Sequence, residues 1–134
     1  MHRRIWSLAT AAVASLIFAP MARAQAHAPH LVIVQMMEKP NSRFAFEPAA
    51  VQVARGDTLR FEQTGTVPHD VDFKQWPKGA KLGSGELVPY LTSKGVTYDL
   101  VIDQRFPAGT YKFVCDPHEA LGMAGTLTVD PSAQ

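Results

Sequence analysis

A single cysteine, Cys115, stands in the 134 residues. That excludes an internal disulfide framework and any multi-cysteine zinc or iron–sulfur cluster. An excess of one charge is also missing. Thirteen Lys+Arg face twelve Asp+Glu, a formal charge of +1, too small a field to gather nucleic acid. No apolar stretch reaches the roughly 18–20 residues of a membrane span. A long helical period, an internal repeat, a low-complexity tract and a linker are all absent. The length leaves no room for a two-domain enzyme. Turn formers are plentiful, with ten prolines and nine glycines. With 46% hydrophobic and 19% charged residues, the composition is that of a globular chain leaning toward β structure.

Residues 1–26 read as an export signal. His2, Arg3 and Arg4 give a positive start, and Ile5–Ala19 is a short, largely apolar run. Ala22-Arg23-Ala24 and Ala24-Gln25-Ala26 both match a small-x-small cleavage pattern, and the second is preferred. Residues 27–134 are then the exported domain. Arg3, Arg4 and Arg23 leave with the signal, so Lys+Arg falls from 13 to 10 against 12 Asp+Glu, a formal charge of −2. The destination is a bacterial periplasm or its equivalent. An unpaired cysteine is a liability in that oxidising compartment, and a metal would give it a reason to be there.

Several short segments read as strands. Leu31–Met37 is apolar and rich in β-branched residues, the pattern of a buried strand. Val51–Ala54 and Thr58–Gln63 flank Arg55-Gly56-Asp57, a tight turn. His69–Phe73, Thr97–Ile102, Gly109–Cys115 and Ala124–Val129 follow, with a loop over Lys74–Ser84. The fold class is all-β, and the turn spacing predicts an antiparallel β-sandwich.

The chemistry concentrates near the C-terminus. Cys115, His118 and Met123 stand in a Cys-x2-His-x4-Met pattern, and His69 follows Pro68 some fifty residues upstream. A thiolate, two imidazoles and a thioether form a soft donor set. Thiolate and thioether favour copper(I), and imidazole suits copper(II). A trigonal His2Cys site with a long axial Met is the ligand set of a blue-copper electron-transfer centre. Zinc would accept the Cys and His donors but rarely uses Met.

These residues resemble the small cupredoxins, especially plastocyanin and pseudoazurin. The resemblance spans Phe46-Glu47-Pro48-Ala49 through Gly56-Asp57-Thr58, then Pro68-His69, then Gly109-Thr110-Tyr111 through Cys115-Asp116-Pro117-His118 and Gly122-Met123. It implies an eight-stranded Greek-key sandwich with one copper ion at one end. It implies that His69 is an internal ligand whose other ring nitrogen is fixed by the protein, Cys115 the thiolate ligand and Met123 the weak axial ligand. His118 is then the second imidazole, with a ring edge reaching the surface. Pro68, Ala120 and Leu121 would form its apolar collar. Two departures stand out. The family usually has Asn after the first His, where this chain has Asp70, and Asp116 adds a second acid. Plant-type plastocyanins have Tyr before the Cys, where this chain has Val114.

The resulting expectation is a periplasmic, non-enzymatic, monomeric shuttle of single electrons. Its partner would be a c-type cytochrome or a periplasmic or membrane oxidoreductase, with no nucleic acid and no small-molecule substrate. Lys74, Lys78 and Lys81 lie in a segment without acids and would form a basic rim beside the copper. His27 and His30 could chelate a second copper, fed by Met36 and Met37; a copper carrier or buffer is the alternative function. A catalytic copper would need an open coordination position, which a four-ligand set does not leave.

Overall fold

The computed structural model describes residues 27–131. The segment read as an export signal lies outside the described residues. Among the described residues, nine strands form two sheets. The first holds β1 (Leu31–Lys39), β2 (Arg43–Glu47), β4 (Thr58–Gln63) and β7 (Thr97–Val101), in the order β2-β1-β4-β7. The second holds β3 (Ala50–Val53), β5 (His69–Gln75), β6 (Glu86–Leu91), β8 (Gly109–Val114) and β9 (Ala124–Val129), in the order β3-β9-β8-β5-β6.

Two expectations change here. β1 is not buried on both faces: Val34 and Met36 point into the core while Leu31 and Ile33 stay exposed. It therefore covers one side of a sandwich, with the alternation proper to that position. Nor is the sandwich purely antiparallel. β1 runs parallel to β4, and β3 parallel to β9. The Arg55-Gly56-Asp57 turn joins β3 of one sheet to β4 of the other, so it crosses the sandwich and closes no hairpin.

Alternation fills the space between the sheets. Leu59 and Phe61 of β4 face Tyr111 and Phe113 of β8 and Leu127 and Val129 of β9 in one core cluster. Phe46, Phe61 and Phe113 meet edge to face, with ring centroids 4.9 to 6.2 Å apart. Such contacts add about 0.5–1.5 kcal/mol per pair beyond the area they bury. Gly125 lets β9 pass over this cluster, because a Cβ there would lie 2.4 Å from the Phe113 ring. Gly125→Ala should therefore lower stability by about 1–3 kcal/mol. An unchanged midpoint in urea would show that the Phe113 ring can move aside.

Candidate metal centre

Four chain segments meet at one end of the sandwich. His69 opens β5, Cys115 follows β8, and His118 sits in the 3-10 segment Asp116–Leu121. Met123 stands just before β9. The spacing has a local cause. Pro117 suits the first turn of this segment, where a backbone donor is not needed. His118 N–H donates to Cys115 O at 3.0 Å, which turns His118 back over the cysteine. Gly122 then takes a left-handed conformation, φ 84°, and ends the turn. Met123 N–H can now donate to His118 O at 3.2 Å, and Cys115 N–H donates to Met123 O at 3.1 Å. The x2 and x4 intervals are the lengths that close this ring.

Three donor atoms converge inside it. Nδ1 of His69 and Nδ1 of His118 are 3.1 Å apart, and Cys115 Sγ lies 3.5 and 3.3 Å from them. The centre of that triangle is about 2 Å from each corner, the distance of an imidazole nitrogen from a bound transition metal. All three side chains are buried, as is Met123. The arrangement fits a soft metal ion and leaves little room for anything larger.

Electrostatics point the same way. Burial pushes the Cys115 thiol up to about 12. Burial, then repulsion from His118, pushes His69 down to about 4. The His69 imidazole can thus offer a lone pair near neutral pH, and the Cys115 thiolate needs a cation beside it. The His69 shift also sets a pH dependence for the metal-free protein. Between its ordinary value of 6.5 and about 4, the unfolded chain binds the proton that the fold refuses. His69 therefore contributes its full stability above pH 6.5 and loses it as the pH falls toward 4, about 3 kcal/mol in all. Urea midpoints of the metal-free protein at pH 7 and 4.5 should differ, and less so for His69→Gln. Equal losses in both proteins would assign the effect to other groups.

Several supporting side chains were not visible in the sequence. Phe44 of β2 stacks on His118 with centroids 3.9 Å apart and meets the His69 ring edge to face at 5.6 Å. Glu38 accepts from Thr66 N–H and Val67 N–H, both at 2.6 Å, and so fixes the loop that delivers His69. Those bonds, Val67 first, hold the Glu38 carboxyl below its ordinary range. Gln63 adds a bond from Nε2 to Val67 O. Asp70, also buried, accepts from Asp116 N–H at 2.8 Å, so an acid braces the metal loop where the family has Asn.

Three expectations are corrected. The second ring nitrogen of His69, Nε2, is buried without a hydrogen-bond partner among the described residues; its ring is steadied by Phe44 instead. The basic rim does not form beside the copper end. Lys74 is on β5 and pairs with Asp72 at 2.6 Å and Asp116 at 2.8 Å. Lys78 and Lys81 emerge at the opposite pole, because β5 carries the chain the length of the sheet. There Pro77 packs against Gly109, where β8 begins, and Lys81 N–H bonds Arg105 O. Met36 is a fully buried core residue and cannot feed a surface site. His27 and His30 also lie at that opposite pole, against Asp57.

Comparison with known proteins decides the family. Residues 32–130 match the family model for copper binding proteins of the plastocyanin/azurin family. The chain belongs to that family. Vicia faba plastocyanin is 38% identical over 91 residues, covering 64% of this chain and 88% of that protein. Plastocyanin A/B of Petroselinum crispum is 33% identical over 87 residues, covering 63% and 87%. Among solved structures, oxidised Dryopteris crassirhizoma plastocyanin superposes with a TM-score of 0.59 at 27% identity, covering 74% of this chain and all of that one. Pseudoazurin from Methylobacterium extorquens gives 0.52 at 25% identity, covering 74% of each chain. This cupredoxin is a copper protein, its donor set is that of a type 1 site, and the family's activity is copper-based electron transfer.

Proposed function

We propose that this cupredoxin works in the periplasm as a monomeric shuttle, taking one electron from a redox protein and giving it to another without transforming a substrate. His69, Cys115 and His118 would hold the copper, with the thioether of buried Met123 as the fourth donor. The convergence of three buried donors within 3.5 Å carries the reading. Bound copper supplies a one-electron couple. The protein supplies a frame that moves little: the ring of backbone bonds from Cys115 to Met123, Phe44 on the imidazoles, and a core that excludes water. Low reorganisation favours fast transfer.

The docking surface is the apolar collar of Pro68, Ala120 and Leu121, all exposed and next in sequence to the ligand histidines or close to them. Leu121 is 55% exposed, and with Arg43, Phe44 and Gly122 it lines a shallow cavity. A small apolar contact lets a shuttle release its partner quickly. Arg43, which makes no ion pair among the described residues, stands beside Leu121 and supplies the steering charge that Lys74, Lys78 and Lys81 do not. The partner is a c-type cytochrome or a membrane oxidoreductase. Stopped-flow electron exchange with a c-type cytochrome tests this. Leu121→Asp should slow exchange about tenfold while leaving the visible spectrum unchanged. Equal rates would place docking elsewhere.

A further inference from the structure

A second cluster of metal-ligating groups stands at the pole opposite Cys115. Its centre is Asp57, in the turn between β3 and β4, buried to 3% exposure. The carboxylate is already organised: Ala54 N–H donates to Oδ2 and His30 N–H to Oδ1, each at 2.8 Å. Burial opposes its charge, yet these bonds and His27 hold the carboxyl below its ordinary range. Two imidazoles face it from the segment before β1. His27 Nε2 is 2.7 Å from Oδ1, and His30 Nδ1 is 3.9 Å from the same oxygen. The ligand atoms of the three residues lie within 4.8 Å of one another, and the two rings meet edge to face at 4.7 Å.

The backbone holds this cluster in register. Thr58 N–H donates to His30 O at 2.9 Å, Gly56 N–H to Ile102 O at 2.8 Å, and Ile102 N–H to Asp57 O at 2.9 Å. The His30 side chain is 66% exposed, so the site is open to solvent on one side. No lysine or arginine pairs with Asp57 among the described residues.

We propose that His27, His30 and Asp57 form a second metal site for a divalent borderline cation, best suited to copper(II). Two imidazoles and a carboxylate suit copper(II) or zinc, and copper(II) binds such donors most tightly among the divalent first-row metals. No thiolate or thioether is present, so copper(I) is not favoured. The three ligands leave positions for water, and the site takes a tetragonal copper(II) rather than a blue one. β4 separates the two sites. It runs from Thr58, next to Asp57, to Gln63, which bonds the loop before His69, and its six residues span roughly 20 Å. The second ion would pin the 27–30 segment to the β3–β4 turn and leave the blue centre undisturbed.

The test begins with protein already carrying one equivalent of copper in its blue site. A second equivalent of copper(II) is titrated in and followed by electron paramagnetic resonance. A second, tetragonal signal with wide copper hyperfine splitting and nitrogen couplings is expected. The double substitution His27→Gln/His30→Gln should weaken that binding at least tenfold and leave the narrow signal intact, which also reports that the protein is folded. Equal binding in the double variant would overturn the proposal, as would no second signal. Loss of the signal on acetylation of the amino terminus would also overturn it, by assigning the ion to the terminal amine.

Discussion

Cys115→Ser is expected to remove the visible colour of the copper-loaded protein completely. The sulfur of Cys115 is fully buried and lies 3.3 and 3.5 Å from the two imidazole nitrogens, so it is the only thiolate that can reach a metal there. An intense visible band requires a covalent thiolate bond, and a serine hydroxyl offers a hard oxygen with no such transition. The fold should survive. Serine is close to cysteine in size, and the backbone bonds of Cys115 to His118 and Met123 do not involve the side chain. Placing a hydroxyl in that buried position should cost about 1–3 kcal/mol in the metal-free protein. Colour that persisted in the folded variant would mean that the metal sits elsewhere.

Asp70→Asn should raise the reduction potential. Asp70 is 1% exposed, follows His69 directly, and bonds the backbone of Asp116 beside Cys115. An acid there favours the more highly charged copper(II) state, and an amide removes that preference. At an effective dielectric near 20, one charge some 6–8 Å away is worth about 2 kcal/mol, or on the order of 80 mV for a one-electron couple. Asn can still accept from Asp116 N–H through its carbonyl oxygen, so the loop keeps its brace. Cyclic voltammetry on the two proteins reads the shift. An unchanged potential would mean that the copper does not sense the Asp70 side chain.

The metal centre was legible where its logic is local. Cys115, His118 and Met123 lie within one turn and its exit, so their intervals are written along the chain. His69 is remote, and its role was readable only through the company of the other three. Phe44 left no trace, because stacking on His118 depends on β2 folding across from the 3-10 segment. β2 and β6 went unread for a related reason. Both are edge strands, and Pro89 within Glu86–Leu91 argues against a strand unless its missing donor faces away from a neighbour. Among the described residues β6 pairs in the sheet with β5 alone, through an irregular register. The parallel pairings of β1 with β4 and β3 with β9 join segments far apart in the chain, and no local pattern announces them. Lys78 and Lys81 lie far from the metal because the rest of β5 intervenes, whereas Lys74 stays near the metal loop but is paired with Asp72 and Asp116.

The most direct measurement adds one equivalent of copper(II) to residues 27–134 and records the visible spectrum and electron paramagnetic resonance together. An intense blue or green band with narrow copper hyperfine splitting is expected, the signature of copper bound to Cys115 between His69 and His118. A pale solution with only a wide tetragonal signal would contradict the blue-copper reading and place the metal at His27, His30 and Asp57 instead.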